Sequence, residues 1–110
     1  FAKILRGEIP CKKVYENDHV LAFHDINPQK KIHVLIIPKG EYLDFDDFNN
    51  KASDKEVVEF SKAITHVANL MGSKDKGYRT LTNIGNDGGQ EVPHLHFHVF
   101  AGEKIGKMVN

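Results

Sequence analysis

Residues 93–100 read PHLHFHVF, with His94, His96 and His98 alternating with Leu95, Phe97 and Val99. Strict alternation is the period of an extended strand, whose successive side chains leave on opposite faces. The three histidines therefore share one face and the apolar residues the other. This predicts a last strand with its apolar side on a core and a row of imidazoles facing out of that core. Working outward, the chain supplies antiparallel neighbours. VLAFHD (20–25) and IHVLIIP (32–38) are rich in β-branched and aromatic residues, and Asn27-Pro28 between them is a turn signal, so they read as paired strands. YRTLTN (78–83) reads as a further strand, joined to the histidine segment through the tight IGNDGG turn.

Helical periodicity appears twice. Phe1, Ile4 and Leu5 have helical spacing and the pattern stops at Gly7 and Pro10, which predicts a short amphipathic N-terminal helix, able to lid a core, followed by an extended exit. Ser53 and Glu56 have the spacing of a capping box. Val57, Phe60, Ile64, Val67, Ala68 and Met71 then recur at i+3 and i+4 until Gly72, which predicts the one long helix. The acidic stretch 44–50 reads as a solvated loop. The sum is an α+β fold: an antiparallel sheet of about five strands with one main helix and a short N-terminal helix, in a single domain over residues 1–110.

Composition narrows the function classes. Fifteen basic residues balance fifteen acidic ones, so the chain lacks the one-sided charge that draws in polymeric nucleic acid or an anionic membrane. Cys11 is the single cysteine and has no partner for an internal disulfide. No apolar run reaches the roughly 20 residues of a membrane span, and none has the character of a signal peptide, so the reading is cytoplasmic. The chain starts at Phe1 rather than Met, and a few native residues are expected before it.

A row of imidazoles has three readings. Histidine can merely fill a polar strand face. It can bind metal, but His94 and His98 stand about 13.5 Å apart along an extended strand. An imidazole and its metal bond reach only roughly 6 Å from Cα, so one ion cannot easily collect all three. Two of them with His33 or Asp25 remains a possible set. The third reading gives each ring a separate task, since a neutral imidazole is a nucleophile and a protonated one is an acid and an anion clamp. That division suits transfer of a phosphorus centre.

The surrounding residues favour the third reading. GGQEVPHLHFHVF resembles the signature of the histidine-triad family, and AFHDINPQKKIHVLIIPK and GYRTLTNIGNDGGQ resemble its upstream segments, so the likeness spans nearly the whole chain. Within the family it is most similar to the purine nucleoside phosphoramidases. The resemblance implies a homodimeric, metal-independent hydrolase, without a cofactor, that releases AMP or GMP from phosphoramidates or from acyl and aminoacyl adenylates. The alternatives are a dinucleoside polyphosphate hydrolase and a non-catalytic nucleotide-binding adaptor. The resemblance makes His96 the nucleophile that carries a nucleotidyl group, gives His98 and His33 the phosphate oxygens and the protons, and places His94 in the row that orients His96. Asp25 is implied to hold the ribose hydroxyls. Phe1, Ile4, Phe23 and Ile26 are implied to wall the purine slot with His24 at its edge, Ile4 and Phe23 being equally well read as core. Asn83, Gly89, Glu91 and Val92 complete the implied nucleotide site. Glu91 stands where some relatives have serine, Pro93 where an aromatic is common, and Ala2 where some have a zinc-binding cysteine.

Overall fold

A computed structural model describes residues 1–107, apart from the side chain of Ala2. The elements are α1 (Ala2–Leu5), β1 (Lys13–Glu16), β2 (Val20–His24), β3 (Ile32–Pro38), α2 (Phe45–Lys51), α3 (Asp54–Leu70), β4 (Arg79–Leu81) and β5 (Phe97–Ala101). The strands form one antiparallel five-stranded sheet in the order β1-β2-β3-β5-β4. This is the expected α+β architecture, with the two apolar runs paired directly as β2 and β3.

Continuous apolar runs, rather than alternating ones, mark strands covered on both faces. On one face Val20, Ala22, Val34, Ile36 and Val99 pack under α3, where they meet Phe60, Ala63, Val67 and Ala68. On the other face Leu21, Phe23, Leu35 and Ile37 form a smaller cluster, lidded by Phe1, Ile4 and Leu5 of the N-terminal segment. Ser53 and Glu56 close the expected capping box at the start of α3, and Gly72, at φ +74°, ends it.

The structure departs from the sequence reading in three places. Residues 44–50 are not a solvated loop. Asp44 caps α2 by accepting from the Asp47 N–H, and Phe48 is fully buried 5.2 Å from the Phe60 ring. The acidic residues belong to the cap and first turn of an amphipathic helix, where carboxylates meet unpaired N–H groups. The exit from α1 contains β1, which pairs with β2 across an irregularity between Lys13 and Tyr15. Third, the strand pairing of the histidine segment begins only at Phe97. Pro93 has no N–H, the Leu95 N–H donates to the Tyr42 carbonyl, and the His96 carbonyl accepts from Thr82 Oγ1 at 2.7 Å, so residues 93–96 are held by loop contacts instead of a ladder. Side-chain alternation survives: Leu95 and Val99 are buried in the main core and Phe97 packs against it. Among the described residues no helix is long and apolar enough to cross a membrane.

Candidate active site

The imidazoles lie on the sheet face opposite α3, and they do not simply face solvent. His33 and His94 are buried, at 3% and 8% exposure, and His96 and His98 are half-buried. The β3–β5 register pairs Leu35 with His98 and His33 with Phe100, which makes the His33 and His98 rings diagonal neighbours on one face. Asp25 follows β2 and is tied back to β3 by its N–H, which donates to the His33 carbonyl at 2.9 Å. Three consecutive sheet neighbours thus deliver Asp25, His33 and His98 to one point.

Hydrogen-bond partners set where the ring protons sit. The Gln29 backbone N–H donates to His33 Nδ1 at 3.1 Å, so neutral His33 carries its proton on Nε2. That Nε2 is 2.8 Å from His98 Nδ1 and 3.4 Å from Asp25 Oδ2. His98 Nδ1 is therefore the acceptor, and its own proton is on Nε2. His96 Nδ1 lies 2.7 Å from the His94 carbonyl oxygen, which can only accept, so Nδ1 donates and Nε2 keeps its lone pair. Adjacent rings 5.1 Å apart consequently present opposite functions, a lone pair on His96 and an N–H on His98. His94 orients His96 through its backbone carbonyl. Its ring Nε2 is buried with no partner among the described residues.

The donor atoms of Asp25, His33 and His98 lie within 4.8 Å of one another, a separation at which a metal ion could be held. The proton positions oppose that use. A histidine ligand offers a lone pair, and with its Nδ1 taken by the Gln29 N–H, His33 turns a proton rather than a lone pair toward the gap. The residues fit a shared proton better than an ion.

Burial dominates the electrostatics. It lowers the His33 pKa, against an opposing pull from the Asp25 carboxylate. It also lowers that of His94. For His98 burial, reinforced by the neighbouring His96 and His33, brings the value down to about 4. Each loss reflects the cost of a charged ring in a low-dielectric setting.

The residues implied to bind a nucleotide fall into two groups. Phe1 stands edge-on to Phe23 at 5.9 Å, to His94 at 5.5 Å and to His96 at 5.0 Å. Ile4 packs on the same cluster, in which Phe23 is only 4% exposed and so is a core residue first. Asp25 is flanked by His24 and Ile26, both exposed, Ile26 at 92%. The second group, Asn83, Gly89, Glu91 and Val92, stands on the loop that leads from β4 into His94. Gln90 pins that loop, accepting from the Gly85 N–H and donating to the carbonyls of Leu43 and Val92. A side chain at Gly88 would place Cβ 2.3 Å from the Ile84 carbonyl oxygen, so the turn requires glycine there. The Gly89 N–H donates to the Asn86 carbonyl and is already used within the turn. Glu91 borders a shallow cleft of about 320 Å³ with Leu43, Gly85, Asn86, Gln90 and Pro93.

Four contributors escaped the sequence reading. Phe100 stacks on His98 at 5.6 Å and lies 4.3 Å from the His33 ring, and its place two residues past His98 was the available signal. Thr82 and Gln90 act through hydrogen bonds to the carbonyls of His96 and Leu43, distant in the chain, and the Gln29 N–H reaches His33 only because the β2–β3 connection folds back on itself.

The chain has relatives of known family and structure. The HIT domain matches residues 6–105. A 13.2 kDa HIT-like protein of Azospirillum brasilense is 57% identical over 109 residues, covering 99% of this chain and 89% of that one. The structure of a HIT family hydrolase from Clostridium thermocellum superposes with a TM-score of 0.90 at 38% identity, covering 100% of this chain and 95% of the other. That of a hypothetical histidine triad nucleotide-binding protein from Sulfolobus tokodaii gives 0.76 at 29%, covering 91% and 66%. Since the family match runs through the triad of His94, His96 and His98, the chain belongs to the HIT, or histidine-triad, family.

Proposed function

We propose that this chain is a purine nucleotide hydrolase or transferase, a phosphoramidase acting on AMP or GMP phosphoramidates or on acyl and aminoacyl adenylates. The observation that carries the reading is the lone pair left on His96 Nε2 by the His94 carbonyl, beside a His98 ring that presents N–H. The names of the two solved relatives, a HIT family hydrolase and a nucleotide-binding protein, support the substrate class.

In this reading His96 Nε2 attacks the α-phosphorus, an N–P bond forms, and the bond to the leaving nitrogen breaks. The leaving amine takes a proton from His98 Nε2. Water then attacks the nucleotidyl-histidine, its proton returns to His98, and AMP or GMP leaves with His96 restored. A neutral imidazole N–H is too weak an acid for this step, so His98 must first gain a second proton. The negative phosphate placed between His96 and His98 favours that gain by raising the His98 pKa from the low value that burial and the neighbouring rings give it. Asp25 would accept from the ribose hydroxyls, since a carboxylate has about four acceptor sites and one is used by the Asn27 N–H. Phe1, Ile4, Phe23, His24 and Ile26 would form the base slot beside it. Asn83, Gly89, Glu91 and Val92 would approach the phosphate and leaving group, Gly89 by close passage of its backbone. We also infer a homodimer, because β4 ends the sheet and leaves one edge open to a second copy.

Rapid quenching of an AMP phosphoramidate reaction, followed by peptide mass analysis, tests the mechanism. A nucleotidyl adduct is expected on His96, with turnover lost by several orders of magnitude in His96→Ala. An adduct on His94 or His98, or near-normal turnover without His96, overturns it.

A further inference from the structure

We infer that Asp25 has a second task besides the ribose: its Oδ2 is the acceptor that lets the His33–His98 pair carry the extra proton needed to expel an amine. The inference rests on the nucleotidyl-transfer reading for its consequence in turnover, and on proton counting for its basis.

The pair has four ring nitrogens. His33 Nδ1 is closed to protons because the Gln29 N–H already points at it. In the neutral pair one proton lies on His33 Nε2, shared with His98 Nδ1 across 2.8 Å, and one on His98 Nε2. A third proton has only one site left, His98 Nδ1. Filling it sets two N–H groups against each other across the same short gap, where one hydrogen bond stood before. The arrangement is tolerable only if one N–H turns to another acceptor. Asp25 Oδ2, 3.4 Å from His33 Nε2 and in the same cluster of donor atoms as His98, is placed to take it.

The surroundings leave little alternative. His33 is packed by the rings of Phe100, at 4.3 Å, and His98, at 5.1 Å. The ionisable groups that act on His98 are His96, on the same segment, His33 and Asp25. The two histidines oppose a proton on His98 and Asp25 alone favours it. The carboxylate is held for the purpose: Oδ1 accepts from the Asn27 N–H at 2.9 Å, which leaves Oδ2 turned toward the pair. A single side chain then senses the ribose and licenses the acid. Ribose binding and leaving-group protonation are linked at one carboxylate, and the link matters only when the leaving group needs a proton.

Leaving-group chemistry separates this from a ribose role alone. An amine leaves as its conjugate acid, whereas the carboxylate released from an acyl adenylate leaves without a proton. The test compares wild type and Asp25→Asn in single-turnover formation of the nucleotidyl adduct, using an AMP phosphoramidate and an acyl adenylate, each also as its 2′,3′-dideoxy form. The expected result is a loss of about tenfold at neutral pH for the amine substrate, with the alkaline limb of its rate displaced downward by about one pH unit. This loss should persist in the dideoxy form, and the acyl adenylate should lose little once its ribose hydroxyls are gone. Nitrogen-15 NMR of the substrate-free protein adds a readout independent of turnover, in which the shared titration of His33 and His98 moves to lower pH in Asp25→Asn while amide dispersion shows the fold intact. An equal loss with both leaving groups, or an unmoved titration, overturns the inference. Failure of the wild type to form any adduct overturns the nucleotidyl-transfer reading instead, and the NMR titration still decides the role of Asp25.

Discussion

Lowering the pH from 7 to 4.5 should destabilise the fold through His98, and the size of the effect follows from its setting. Burial holds the folded ring neutral down to about pH 4. Unfolding returns it to its ordinary value near 6.5, so between those values the unfolded chain binds more protons than the folded one. Stability from this group is complete above about pH 6.5 and is lost as the pH falls through the window toward 4. At about 1.36 kcal/mol per pKa unit the ceiling is about 3 kcal/mol. His98 is half-buried, and solvent screening cuts this to about 1–2 kcal/mol. That corresponds to a fall in Tm of about 5–10 °C for a domain of this size. The assay is denaturant and thermal unfolding of wild type and His98→Gln at both pH values. Carboxylates and other histidines titrate in both proteins, so the difference between the two pH dependences isolates His98 and its coupling to His33. Wild type should lose more stability than the variant. Parallel pH dependences, or a variant that loses more, would refute the claim that burial keeps this ring neutral.

Phe48→Ala should cost about 3–5 kcal/mol, because the ring is fully buried among Tyr42, Phe45 and Phe60, and chemical denaturation would register a loss below 1 kcal/mol as evidence against α2 as a core element. Turnover of an AMP phosphoramidate should survive exhaustive chelation, since His33 presents a proton where a metal would need a lone pair; activity removed by chelator and restored by zinc would reverse that reading. Light scattering at micromolar concentration should give twice the 12.4 kDa chain mass, and a stable monomer would rule out pairing through the β4 edge.

Local sequence chemistry determined much of this protein. Alternation in PHLHFHVF put Leu95 and Val99 in the core and the imidazoles on the other face, and the i+3, i+4 pattern with its Ser53–Glu56 cap defined α3 to within a residue. Both are signals between residues close in sequence, where backbone geometry alone decides which side chains share a face. The α2 segment was misread because its four apolar and aspartate positions are too short a run to separate an amphipathic turn from a loop; burial of Phe48 against α3 resolves it. The folded backbone, rather than the residue pattern, decided the chemistry of each imidazole. His96 has a free lone pair because a carbonyl two residues earlier bends back to its Nδ1, and His98 presents N–H because His33, 65 residues away in the chain, donates to it. His33 in turn takes its tautomer from the Gln29 backbone and its charge environment from Asp25, both placed by the connection that folds β2 back onto β3. The residue type gives histidine two interchangeable nitrogens, and only the partners assembled by the fold can make them different.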